Sequence, residues 1–205
     1  MKMKRQADLI GQMSAKELLY HLYMTQMISL FIALLAGTFL FVDFWDPNFF
    51  FRFNAMQVMF GAANGLAVVL IDLILMSILP GKYYDDGGIN TKLFSGMPYW
   101  KIAVVAFIVA VSEELLFRGI LQTKFGLIIA SIIFALIHVR YWAHWFLIVN
   151  IILLSFWIGI VYEWSGHQLL PVMAMHFTID FLLGIYIKKK FAQESIKGVN
   201  DRYEQ

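Results

Sequence analysis

Residues 99–120 read YWKIAVVAFIVAVSEELLFRGI. A helix needs about 20 mostly apolar residues to cross a bilayer core of about 30 Å, and this stretch is long enough. Yet it holds Glu113, Glu114 and Arg118. A charge at the centre of a membrane helix costs about 2.5–3.5 kcal/mol on insertion scales, so such groups face a partner or a polar cavity. Adjacent helical residues point about 100° apart, so the two glutamates cannot share a face. Glu114 and Arg118 are four apart with the acid first, the favourable order for an ion pair. Glu113 has no such partner in its own helix. It is the carboxylate to follow.

The rest of the chain has the same character. Of 205 residues, 60% are hydrophobic and only 15% charged, with a mean hydropathy of +0.71. A soluble domain carries about 25% charged residues, so a soluble enzyme and a disordered regulator are excluded. The net charge of +2 provides no basic surface for a nucleic-acid partner. With no cysteine, disulfides, thiolate zinc sites and thiol nucleophiles are excluded together. The composition predicts an all-α, multi-pass protein of the cell membrane, with the lipid bilayer as its surroundings.

Six spans are expected, at 27–45, 56–79, 99–120, 125–139, 142–162 and 168–187, preceded by an amphipathic segment over 1–26 lying on the membrane surface. Asp46-Pro47-Asn48, Pro80-Gly81, Asp85-Asp86-Gly87-Gly88 and Ser165-Gly166-His167 separate several of them. With both termini placed in the cytoplasm, Lys2, Lys4, Arg5, Lys16, Lys82, Lys92, Lys101, Arg140, Lys188, Lys189, Lys190, Lys197 and Arg202 all lie inside. Arg52, Arg118 and Lys124 are then outside, and the positive-inside rule favours this orientation. The Lys188-Lys189-Lys190 run reads as an anchor beside anionic lipid. Gly61-x-x-x-Gly65 permits close helix approach, while Asp72, Asn64 and Asn150 read as interhelical hydrogen-bonders.

Two further spans carry ionisable groups. Phe134 and His138 are four apart in the fourth span, and His176 and Asp180 are four apart in the sixth. Burying all these groups separately is costly, and one shared polar cavity is the cheaper arrangement. A carboxylate and histidines in such a cavity suit general-base hydrolysis of an amide by water. The same residues could also hold zinc with an open position. His-Glu-x-x-His and Gly-x-Ser-x-Gly are both absent, and Ser112 has no local histidine to make it a nucleophile.

Glu113-Glu114-x-x-x-Arg118, Phe134-x-x-x-His138 and His176-x-x-x-Asp180, in that order on three helices, resemble the CPBP (Abi) family. This family groups CAAX prenyl endopeptidases with bacteriocin-processing and immunity proteins. The resemblance covers about residues 98–187, the last four spans. It divides the chain into 1–97 (amphipathic segment and two spans), a peptidase-like core over 98–187, and a basic cytoplasmic tail over 188–205. It implies an intramembrane endopeptidase acting on a peptide or protein substrate at the membrane. In that reading Glu113 activates the water with help from His138, His176 and Asp180 stabilise the oxyanion, and Glu114 and Arg118 support them. An ionised Asp180 is a poor oxyanion donor, so it would be protonated, orient His176 or ligate a metal. The family has been read both as glutamic, with no cofactor required, and as metal-dependent. In the latter case Glu113, His138, His176 and Asp180 would be the ligands.

Two other functions are compatible with the residues. A non-catalytic immunity or partner-binding protein of the same fold would keep the cluster as structure. A proton-coupled transporter would need matching halves, which the sequence lacks. One geometric tension is also visible. At about 1.5 Å per residue, Glu113 lies about 21 Å from residue 99 and His138 about 20 Å from residue 125. If those starts lie on opposite surfaces, the two depths differ by about 10 Å. The third span would then begin deeper, the helices would tilt or break, or the orientation would reverse.

Overall fold

The first helix begins where a reciprocal cap dictates. The Ser14 hydroxyl accepts from the Glu17 amide at 3.3 Å, and the Glu17 carboxylate accepts from the Ser14 amide at 2.7 Å. In the computed structural model, which describes residues 12–142 and 144–203, helix α1 runs from there over Ala15–Leu40. No proline or glycine interrupts it before Gly37. The amphipathic positions from Leu18 onward are therefore the first turns of the first long helix, and the span expected at 27–45 sits earlier. Leu9, Ile10, Lys2, Lys4 and Arg5 lie outside the described residues, as do the side chains of Arg140, Lys197 and Arg202.

Five further long elements follow. Helix α2 (Ala55–Ile78) is capped by the Asn54 side chain, which accepts from the Gln57 amide at 3.2 Å. Helix α3 (Tyr99–Glu114) starts after Pro98 and passes without a break into a π-helical segment, Leu115–Gln122, then one short turn, Thr123–Phe125. Helix α4 (Leu127–Ile137), α5 (Trp145–Trp164) and α6 (Leu169–Tyr203) complete the set. Among the described residues there is no strand. Helices α1, α2, α5 and the Leu169–Gln193 part of α6 are long and apolar enough to cross a membrane. Residues of the basic tail through Tyr203 continue α6. Phe31, Phe39, Phe53, Phe107 and Ile78 are exposed, as lipid-facing side chains are.

Lipid tails are as apolar as leucine, so helices here associate by close packing rather than by escape from water. The Gly61-x-x-x-Gly65 stripe provides it. A Cβ on Gly61 would collide with the Pro171 backbone, and one on Gly65 would meet the Met175 carbonyl and the Thr178 side chain. Both numbers rise together, so α2 and α6 run parallel, backbone against backbone. The same face of α2 buries Val69 and Asp72.

Gly126 (φ +85°) turns the chain between the π segment and α4, a conformation side chains rarely adopt. Phe117 and Phe134 then meet edge to face at 4.9 Å, so α4 runs back along the π segment. This hairpin removes the depth tension. Glu113 precedes Gly126 by thirteen residues and His138 follows it by twelve, about 20 Å and 18 Å of helix. Counted from the turn they share, the two residues lie level. The run from Tyr99 to Phe125 is about 40 Å, longer than the bilayer core, so its two ends cannot both mark the core's edges in an untilted helix.

Candidate active site

Glu114 and Arg118 are completely buried. Arg118 Nε donates to Glu114 Oε2 at 3.3 Å, the four-residue pair that the sequence predicts. The other Glu114 oxygen, Oε1, faces His176 Nδ1 on α6 at 2.6 Å. His176 Nε2 in turn faces Asp180 Oδ2 at 3.5 Å. Arg118, Glu114, His176 and Asp180 thus form one chain of contacts, buried at its first three members. Asp180 is its most open member, with about a third of its side chain exposed.

The far side of Arg118 is held by α5. Arg118 Nη2 donates to Ser155 Oγ at 3.0 Å, and Nη1 to Gln122 Oε1 at 3.4 Å. Gln122 Nε2 donates onward to the Gly159 carbonyl at 2.9 Å and to Glu163 Oε1 at 2.7 Å. Gly159 makes this approach possible, because a Cβ there would clash with Leu127 and crowd Gln122 and Arg118. The Phe134 ring lies 5.4 Å from the Arg118 guanidinium carbon, a cation–π contact. The π segment carries Arg118 and Gln122, and its released backbone is taken up locally, the Thr123 hydroxyl donating to the Arg118 carbonyl at 3.1 Å. Such segments recur at functional sites.

Glu113 has different surroundings. Among the described residues it forms no salt bridge. Its Oε1 accepts from Gln26 Nε2 on α1 at 2.9 Å, and the Ser112 hydroxyl donates to Gln26 Oε1 at 2.6 Å. All three side chains are buried. Ser112 is therefore engaged with Gln26, and its hydroxyl is also within reach of the Ile108 carbonyl, 2.7 Å away.

His138 stands just past the end of α4, with φ −79° and ψ 50°, rather than inside a span. Its Nδ1 lies 2.7 Å from the Phe134 carbonyl, which only accepts, so Nδ1 carries the proton and Nε2 a lone pair in the neutral ring. It also stacks on Phe134 at 4.5 Å, one ring away from Arg118. The structure therefore brings Glu114, Arg118, His176 and Asp180 into direct contact. Glu113 makes no ion pair with them but lies within electrostatic range of Arg118 and His176, and His138 reaches Arg118 through Phe134.

The conditional metal set of Glu113, His138, His176 and Asp180 does not fit zinc as placed. Both nitrogens of His176 already face carboxylate oxygens. Among the described residues no three His, Cys, Asp or Glu side chains converge to hold a metal ion.

Comparison with known proteins identifies the family. A family model described as type II CAAX prenyl endopeptidase Rce1-like matches residues 95–182, the stretch that contains all seven motif residues. The uncharacterized protein YpbD of Bacillus subtilis (strain 168) is 39% identical over 166 residues, covering 80% of this chain and 87% of that protein. The chain belongs to the Rce1-like family. No solved structure matches it. Within this Rce1-like protein, Gln26 lies outside the matched stretch, and Gln122, Ser155 and Glu163 are not in the three motifs. Gln122 had a sequence signal, since it continues the Glu114–Arg118 spacing by four. Gln26 is an amide in a long apolar helix, while Ser155 resembles any helical serine.

Proposed function

We propose that the protein is an intramembrane endopeptidase that hydrolyses a peptide bond of a membrane-associated peptide or protein with water activated by Glu113. The observation that carries this reading is the contrast within the glutamate pair. Glu114 is engaged at both oxygens by Arg118 and His176, whereas Glu113 is held by the neutral Gln26 amide.

In this reading Glu113 removes a proton from water while His138, through the Nε2 lone pair, holds the same water. The oxygen adds to the scissile carbonyl carbon and the carbonyl π pair moves to its oxygen. His176 donates a hydrogen bond to that oxyanion. Its 3.5 Å contact with Asp180 is loose enough for the ring to exchange one acceptor for another. Asp180 orients the ring. The C–N bond then breaks, and the proton held by Glu113 passes to the leaving amine. Glu114 and Arg118 fix His176 in place. The lysine and arginine distribution supports both termini in the cytoplasm.

The test compares cells making wild type or Glu113→Gln at equal, folded membrane levels. Mass spectrometry of membrane-associated and secreted peptides is expected to find fragments that the variant does not make. Identical peptide profiles would overturn the reading and leave a non-catalytic membrane protein of this fold.

A further inference from the structure

We infer that Gln26 is a positioning residue for Glu113, and that its side-chain amide turns over as Glu113 gains and loses the proton of the water. This rests on Glu113 being the general base, and it adds a working residue on α1, outside the stretch matched by the family.

The geometry offers two complete hydrogen-bond arrangements. The Ser112 hydroxyl has one proton and three acceptors in reach, Gln26 Oε1 at 2.6 Å, the Ile108 carbonyl at 2.7 Å and the Val109 carbonyl at 3.2 Å. In the first arrangement Ser112 donates to Gln26 Oε1, and Gln26 Nε2 donates to the Glu113 carboxylate at 2.9 Å. Once Glu113 carries a proton it becomes a donor. A half turn of the Gln26 amide exchanges its oxygen and nitrogen in place. Glu113 then donates to Gln26 Oε1, Gln26 Nε2 donates to Ser112 Oγ, and Ser112 donates to the Ile108 carbonyl. The triad gains one proton, the one taken from water, and in this second arrangement none of these contacts is left with two donors or two acceptors. A buried group left unpaired is costly, so the swap keeps both protonation states of Glu113 accessible. The side-chain amide carries a donor and an acceptor that trade places by a half turn.

The test uses the full-length protein in lipid nanodiscs, with glutamate labelled by carbon-13 at the side-chain carboxyl. Isotope-edited infrared spectra assign the Glu113 band as the one lost in Glu113→Gln. Gln26→Met is expected to move that band, because the amide donor is gone. A band that stays in place overturns the inference. Should Gln26→Met fail to reach the membrane, Gln26→Leu removes the same donor and must move the same band. On fragments that wild type produces and Glu113→Gln does not, Gln26→Met is expected to lower kcat by about 10- to 100-fold with KM unchanged. An unchanged kcat, or a loss carried by KM alone, overturns the positioning role even if the band moves. If wild type produces no such fragments, the peptidase reading falls, while the infrared band still decides whether Gln26 holds Glu113.

Discussion

Glu113 and Glu114 are covalent neighbours with opposite surroundings. Glu114 is sealed from solvent and takes hydrogen bonds from a guanidinium on its own helix and an imidazole from α6. Glu113 points about 100° away, towards α1, and meets an amide. The difference teaches what each is suited for. A carboxylate between a guanidinium and an imidazole fastens helices together, and a carboxylate held by a neutral amide is positioned without an ion pair.

This contrast can be broken from the Glu114 side first, where the largest stability effect is expected. Arg118→Met leaves Glu114 buried without its guanidinium and should cost about 3–5 kcal/mol. It should show as a marked fall in the thermal unfolding midpoint in detergent micelles. A midpoint near that of wild type would mean the pair is not a fastening. Gly61→Leu comes next, since even a Cβ there meets the Pro171 backbone. Overpacking of this kind costs about 1–3 kcal/mol, and the same melting measurement should separate it from Arg118→Met.

A neighbouring polar pair sharpens the comparison. Asn150 Nδ2 donates to Asp72 Oδ1 at 3.3 Å, joining α5 to α2, the interhelical role the sequence suggests. Asn150→Leu should cost about 1–3 kcal/mol by leaving a buried carboxyl short of a donor, and the double variant with Asp72→Leu should recover most of it. No recovery in the double variant would show the two groups to be uncoupled. The smallest effect is expected at the outer end of the network. Glu163 and His167 are 2.7 Å apart but about half exposed, so Glu163→Gln should change stability by about 1 kcal/mol or less in a urea titration. A larger loss would mean that the Gln122 contact to Glu163 carries Arg118.

Much of this was legible in the sequence. Glu114–Arg118 and His176–Asp180 follow from spacing by four, because residues on one helix face are predictable from the chain itself. The close approach at Gly61 and Gly65 follows equally from the lack of side chains. Contacts between helices are a different matter. The meeting of Glu114 with His176 and of Gln26 with Glu113 depends on how helices distant in sequence pack, which no local pattern encodes. The π segment was hidden because its residues also suit an α-helix. The sequence pattern predicts His138 inside a span, yet α4 ends at Ile137 and the histidine caps it. The level depth of Glu113 and His138 depends on the turn at Gly126, whose positive φ no periodicity signals.

The most direct measurement puts Glu113→Gln through two assays on the same purified sample, thermal unfolding and cleavage of a fragment that wild type produces. The account predicts an unfolding midpoint close to wild type and a rate lower by about 10²–10⁴-fold, the range for loss of a general base. A folded Glu113→Gln protein that cleaves at the wild-type rate would contradict it.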